Sequence, residues 1–283
     1  MKPGLRREDF RLELLLGLGT TGQVYLARTP EGQPVALKIP RLEVHKDPKL
    51  ADRFAREVRL SLGLAHPFLV KGYAGKPYGQ GAFLALEYFP EGSLEERLQK
   101  GPLPREEALG YLEQIAQALL HLHRLGIVHQ DVKPANVFIK EGTAKLGDFG
   151  VAKTREEATP LERAGSPFYM APELFRGEPA TPRSDAYSFG VLAYELLAGK
   201  RPFYGETYEE LLAAHLTHHP PRLKDENPAL ARAVMALLAK EPKERGSLEG
   251  FLEALRAPKR PAPGRAGAPA APPWWRRVLR RKR

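Results

Sequence analysis

Between Ile127 and Gly150 the chain places two carboxylates, an amide and an ammonium around one short hairpin: Asp131, Lys133, Asn136 and Asp148. Val137 to Ile139 and Ala144 to Leu146 are apolar runs, and Glu141-Gly142 supplies the turn between them. Asn136 begins the first strand and Asp148 follows the second, so the hairpin brings their oxygens together despite their separation in sequence. A magnesium ion wants such oxygens and keeps waters and phosphate oxygens for the rest of its shell. Asp131 lies on the loop before the hairpin, where it can accept or orient a hydroxyl proton. Lys133, two residues on, can face the same way as a point charge for a phosphoryl group. The bland alternative is a polar hairpin with solvated charges, and the joint spacing of the four residues argues against it.

The N-terminal third reads as strands around a glycine loop. Leu12 to Leu16 leads into Gly17-Leu18-Gly19-Thr20-Thr21-Gly22, and Val24-Tyr25-Leu26 follows. Glycines let a backbone fold close over phosphates and offer amides to them. The pattern Gly-x-Gly-x-x-Gly also occurs in dinucleotide folds, but there a helix opens next, whereas here Val24 continues a strand. Gly32-Gln33-Pro34 breaks the run before Val35 to Ile39. Lys38 sits inside that apolar strand and needs a counter-charge. The helix expected from about Pro48 to Leu64 offers Glu57; Glu43 precedes it on a loop and is a poor candidate. A further strand is expected from Ala82 to Tyr88, and then the chain turns helical: 94–99, 105–125 with Leu109, Leu112, Ala116 and Leu119 at helical spacing, and a strongly apolar helix opening near Ser184. His121 and His123 are two apart and share no helix face, so surface or capping roles are expected for them.

The 283 residues contain no cysteine, which excludes disulfides, thiolate zinc sites and cysteine nucleophiles. No apolar run follows Met1 and none is long enough to span a bilayer, so neither a secretory leader nor a membrane helix is expected. The net charge of +10 is unevenly placed. Lys259, Arg260, Arg265, Arg276, Arg277, Arg280, Arg281, Lys282 and Arg283 all follow residue 256 with no acid among them, which leaves +1 for residues 1–256. The basic character belongs to the tail and says nothing about nucleic-acid binding by the folded part.

With these residues in place, the chain resembles the bacterial-type (eukaryotic-like) serine/threonine protein kinase family over residues 10–256. His129-Gln130-Asp131 with Lys133 and Asn136 resembles its catalytic loop, and Asp148-Phe149-Gly150 its metal-binding turn. The resemblance implies an α+β, bilobal protein-kinase-like fold: a small antiparallel sheet with one main helix (about 10–89), then a mostly helical lobe (about 90–256), with ATP between them. It implies Asp131 and Lys133 as catalytic residues and Asn136 and Asp148 as ligands of Mg2+, with Mn2+ as an alternative ion. For ATP it implies Leu16, Gly17, Gly19, Gly22, Val24, Ala36, Lys38, Glu57, Leu86, Glu87, Phe89, Ser93 and Phe138. Glu57 would pair with Lys38, backbone groups of Glu87 and Phe89 would hold adenine, Leu86 would limit the inner pocket, and Ser93 would face the ribose. Supporting roles are implied for His129 packed on Phe149, for Ser166 bonding Asp131 and Lys133, for Asp185 accepting catalytic-loop amides, and for Glu173 paired with Arg245. Thr154 and Thr159 are candidate phosphorylation sites. The implied activity is transfer of the γ-phosphoryl group to Ser or Thr hydroxyls of protein substrates, itself included, in signalling. The alternatives are a nucleotide-binding pseudokinase or scaffold and a small-molecule kinase of related fold.

Three departures from the family pattern carry expectations of their own. Gln130 replaces an arginine that normally binds a phosphorylated loop, so activity is expected not to depend strictly on loop phosphorylation, with Lys153 and Arg56 as partial substitutes. Ser61 and Gly72 stand where large apolar side chains usually stack on Phe149 and His129; either Leu60 and Leu62 fill the gap or the helix bearing Glu57 is loose and the resting state inactive. Thr21 at the loop tip replaces a larger residue, with a minor effect expected. Residues 257–273 read as a Pro/Ala/Gly-rich linker. In 274–283, Trp274, Trp275, Val278 and Leu279 share one helical face and Arg276, Arg277, Arg280 and Arg281 the other. Such a tail suits an anionic membrane surface or an acidic partner, and an inert solvated tail is the alternative. The expected location is cytoplasmic, peripheral at the inner membrane face if the tail binds lipid.

Overall fold

The computed structural model describes residues 4–19, 21–154, 166–224 and 226–257. Its first part is a five-stranded sheet: β1 (Arg11–Leu18), β2 (Gly22–Arg28), β3 (Pro34–Pro40), β4 (Gly72–Lys76) and β5 (Phe83–Glu87), in the order β1-β2-β3-β5-β4 with every neighbouring pair antiparallel. Between β3 and β4 run α1 (Leu42–Lys46) and α2 (Pro48–Gly63). Asp47 caps α2 by accepting from the amides of Lys49 and Leu50, and Pro48 fits the first turn because its missing N–H would be unpaired there anyway. Successive residues of β5 point to opposite faces. Phe83 and Ala85 pack with Phe10, Ala27, Val35 and Leu37, while Ala82 and Leu84 pack with Val44, Phe54 and Val58. Both faces of β5 are thus packed, α2 covers the face that carries Leu84, and β1 at the edge of the sheet stays exposed.

The second part is mainly helical: α3 (Leu94–Gln99), α4 (Arg105–Arg124), α5 (Pro172–Phe175), α6 (Pro182–Ala198), α7 (Tyr208–Thr217), α8 (Pro228–Leu237) and α9 (Leu248–Arg256). Small strand pairs lie on its upper surface: β6 (Ile127–Val128) with β9 (Lys153–Thr154), and β7 (Val137–Lys140) with β8 (Thr143–Leu146). Helix α6 begins at Pro182, two residues before the expected Ser184, because Thr181 caps it, and it ends at Gly199 in the left-handed conformation. Every residue from Ser184 to Tyr194 is buried, as an all-round apolar helix requires. The hairpin turns through Glu141 and Gly142, both with positive φ (51° and 72°), the backbone a two-residue hairpin turn of this hand needs. The two parts are stitched by backbone bonds from Val70 N–H to the Leu146 carbonyl and from Leu146 N–H to the Phe68 carbonyl, both 2.9 Å. Among the described residues no helix is long and apolar enough to cross a membrane.

Candidate active site

The hairpin and the loop before it place the polar cluster on one side of the cleft. Asn136 Nδ2 donates to the Asp131 carbonyl (2.8 Å) and to Asp131 Oδ2 (2.9 Å). Lys133 Nζ lies 2.8 Å from the same Oδ2. Ser166 donates its backbone N–H to Asp131 Oδ1 (3.0 Å), so it holds the carboxylate through the main chain. The loop itself is anchored from below. Asp185, buried near the start of α6, accepts from the amides of His129 (Oδ2, 2.8 Å) and Gln130 (Oδ1, 2.8 Å). These bonds hold Gln130 at φ 69°, a conformation uncommon for a residue with a side chain. His129 is fully buried, contacts the Gly147 carbonyl through Nε2 (3.0 Å) and meets Phe149 edge-on at 5.7 Å.

Past the hairpin, Gly147 N–H bonds back to the Asn136 carbonyl (2.9 Å), which carries Asp148 to the side of Asn136. Asp148 also has positive φ (60°). Surrounding protein pushes its carboxyl up, but the Lys38 ammonium and the Gly150 N–H outweigh this and hold it below the usual carboxylate range. Across the cleft, Lys38 Nζ lies 2.7 Å from both carboxylate oxygens of Glu57, with both side chains almost wholly buried. Burial opposes the ammonium, yet the Glu57 and Asp148 carboxylates raise it above the ordinary lysine value. Burial pushes Glu57 up as well; the two short contacts to an ammonium decide for the ionised pair. The Gly17–Gly22 loop turns through a Gly19 N–H to Gly22 carbonyl bond (2.8 Å) and lies over Lys38: a β-carbon on Gly19 would stand 4.0 Å from Nζ. Gly22 has no room for one, since it would meet the Ile39 carbonyl oxygen at 2.6 Å.

The other residues assigned to ATP lie on β1, β2, β3, β5 and β7 and in the segment that follows β5. Val24 pairs with Lys38 and Ala36 with Leu86 across adjacent strands, and both Val24 and Ala36 are half-buried. Leu16 is exposed on β1, and Gly17 pairs with Val24. Phe89 and Phe138 stack at 5.6 Å. The Glu87 side chain reaches Lys145 of β8 (2.8 Å), a tie between the two parts. Ser93 spends its hydroxyl as the cap of α3, accepting from Glu96 N–H (3.3 Å). Glu173 and Arg245 form a two-pronged pair (2.7 and 2.9 Å) with almost no exposure. Arg245 holds Glu173 below its usual range although burial pushes the other way. The main chain of Thr154 pairs with Ile127; Thr159 and residues 258–283 lie outside the described residues.

Three expectations are corrected. Thr21 is buried, with its hydroxyl 3.3 Å from Glu57 Oε2, so a small polar residue is what lets the loop tip dock on the ion pair. His123 is no surface residue: its Nε2 lies 2.9 Å from Asp185 Oδ2, so α4 supports the same carboxylate that carries the catalytic loop. Its spacing from Ala116 and Leu119, seven and four residues back on the buried face, was the available signal. His121 instead stacks on His66 with ring centroids 4.7 Å apart. Finally, Gly72 leaves no gap. It lies directly against the Ser61 backbone, while Leu60 packs on the main core and Leu62 points out to solvent.

A family model described as the protein kinase domain matches residues 10–256. The chain is 34% identical over 89% of its length to the serine/threonine-protein kinase drp72 of Corynebacterium efficiens, covering 52% of that protein. It is 37% identical over 83% of its length to the serine/threonine-protein kinase pkn2 of Myxococcus xanthus, covering 30% of it, and 36% identical over 93% to PknA of Mycobacterium tuberculosis, covering 66%. It therefore spans less than two thirds of each of these relatives. With the Asp131 loop, a lysine–glutamate pair and a glycine loop meeting at one cleft, and with a family model matching residues 10–256, the chain belongs to the protein kinase family, and the relatives it resembles are bacterial serine/threonine-protein kinases.

Proposed function

We propose that this chain transfers the terminal phosphoryl group of ATP to Ser or Thr hydroxyls of proteins, its own included, as a step in signalling. The observation that carries the reading is the bracing of Asp131. One carboxylate oxygen is held by Lys133 and Asn136 and the other by the Ser166 amide. A carboxylate so fixed can orient an incoming hydroxyl and take up its proton as the oxygen attacks. Lys133 steadies negative charge on the oxygens in transit, and Lys38, held by Glu57, grips the phosphates on the far side. The donor set suits a hard divalent cation: Asp148 is kept ionised, and Asn136, with its NH2 turned to Asp131, has its amide oxygen left as an acceptor. Mg2+, or Mn2+ in its place, would be held by Asn136 and Asp148 and would neutralise phosphate charge. Incubation with Mg-ATP and casein should give phosphoserine and phosphothreonine, and Asp148→Ala should lose at least ~100-fold in rate. Nucleotide binding without transfer by the unaltered protein would favour the pseudokinase, and transfer to a small molecule alone would favour a small-molecule kinase.

The tail supports a second, separate proposal. If residues 274–283 form a helix on a surface, their tryptophans would share one face and their arginines the other, which suits a bilayer rich in anionic lipid at roughly 1 kcal/mol per basic residue near the surface. The full chain should sediment with phosphatidylserine vesicles, and a chain ending at residue 273 should not; equal sedimentation refutes the membrane role.

A further inference from the structure

Helix α2 meets the sheet on a strand with two glycines. A β-carbon built on Gly72 would collide with the Ser61 carbonyl oxygen and stand 2.7 Å from the Ser61 carbonyl carbon. One built on Gly75 would stand 2.8 Å from Val58 Cγ1. Residues three apart in a regular strand face opposite sides, so these two should not both meet one helix. They do because the β4–β5 register shifts between Gly72 and Ala74, and an extra residue restores the parity. Ser61 and Val58 are themselves three apart, on one face of α2. Glu57 adjoins Val58 and lies one turn before Ser61.

We infer that Gly72 and Gly75 form a seat that sets how deeply α2 packs, and thereby whether Glu57 reaches Lys38. They are positioning residues: neither touches nucleotide, and both act through the ion pair. With any side chain at Gly72 the helix must withdraw by about 1 Å to regain ordinary contact, because what blocks it is backbone that cannot rotate away. Contacts of 2.7 Å between Lys38 and Glu57 lengthened by that amount leave the hydrogen-bond range. The two glycines differ in a way that can be tested. The nearest obstacle at Gly75 is a side chain that can be trimmed, with the Phe83 carbonyl oxygen of β5 behind it at 3.1 Å, whereas every obstacle at Gly72 is main chain of α2.

The inference rests on the kinase reading, so its test includes a measurement that needs no phosphoryl transfer. The full chain and the variants Gly72→Ala, Gly75→Ala, Gly75→Ala with Val58→Ala, Glu57→Gln, and Gly72→Ala with Glu57→Gln would be compared. The readouts are kcat and KM for ATP with casein, calorimetric affinity for a non-hydrolysable Mg-ATP analogue, and melting temperature. Gly72→Ala should lower both kcat/KM and analogue affinity about tenfold or more. Added to Glu57→Gln, it should change either by less than about threefold, because the pair it acts through is already broken. Gly75→Ala should show a smaller loss that Val58→Ala restores. Undiminished activity and affinity in Gly72→Ala, an equal loss in the Glu57→Gln background, or failure of Val58→Ala to restore Gly75→Ala would each overturn the seat. If Gly72→Ala does not fold, the Gly75 and Val58 pair alone decides. If the unaltered chain transfers no phosphate, the kinase reading fails, and analogue affinity still judges the seat.

Discussion

Thr21 shows how one hydroxyl can tie a loop to a buried ion pair. It bonds Glu57 Oε2 at the tip of the glycine loop, which passes close to Lys38. A single hydrogen bond to a charged group contributes on the order of 1–3 kcal/mol, so its removal should be felt but not dominate. Thr21→Val should raise the KM for ATP a few-fold, since Glu57 loses a bond that holds it beside Lys38. An unchanged KM in steady-state kinetics would mean that the hydroxyl has no part in holding the pair. Gln130 marks another departure at this scale. It occupies a left-handed position in the loop before the hairpin, and its buried Nε2 has no hydrogen-bond partner among the described residues, where an arginine would bring a charge.

At the scale of elements, α6 carries more of the site than its sequence suggests. Its N-terminal turn presents Asp185 to the catalytic loop and to His123, while Ser184 Oγ donates to Glu173 (2.9 Å), itself clamped by Arg245. Arg245 also donates to the carbonyls of Arg183, Ala239 and Lys240, so its guanidinium is fully engaged. Breaking a buried pair by removing one partner leaves the other charge stranded and costs ~3–5 kcal/mol. Arg245→Ala should therefore lower the melting temperature by on the order of 10 °C in calorimetry. It should do so without shifting the KM for ATP of the remaining folded protein, since the pair lies below the cleft. A drop of only a degree or two would place the pair among those of little value.

For the molecule as a whole, a buried histidine gives stability a pH dependence. His215 is fully buried among Phe175, Tyr187 and Phe203 and contacts the Tyr187 hydroxyl through Nδ1 (3.0 Å). Burial, and then the Lys240 charge, push its imidazole down to about 3. It is neutral in the fold, while the unfolded chain takes up a proton below pH 6.5. Its contribution is complete above pH 6.5 and is lost as the pH falls toward 3, at up to ~1.4 kcal/mol per unit. Urea midpoints should fall between pH 7 and pH 5, and more gently in His215→Gln; identical slopes would assign the acid limb to other groups.

Most of the elements, and the residues that meet at the candidate site, can be read from the residue order alone. Asp131, Lys133, Asn136 and Asp148 were legible because a hairpin is local: short-range pairing fixes where its ends go. Lys38 and Glu57 were legible because a charge in an apolar strand demands a partner. Only the tertiary structure decided contacts that depend on how closely two distant backbones approach. Gly72 reads in sequence as a missing side chain and in three dimensions as a place where there is no room for one. Thr21 reads as peripheral and proves to be buried, and His123 reads as peripheral and proves to bond Asp185, because the distance from a loop tip or a helix end to its partner is set by packing, which no local spacing encodes.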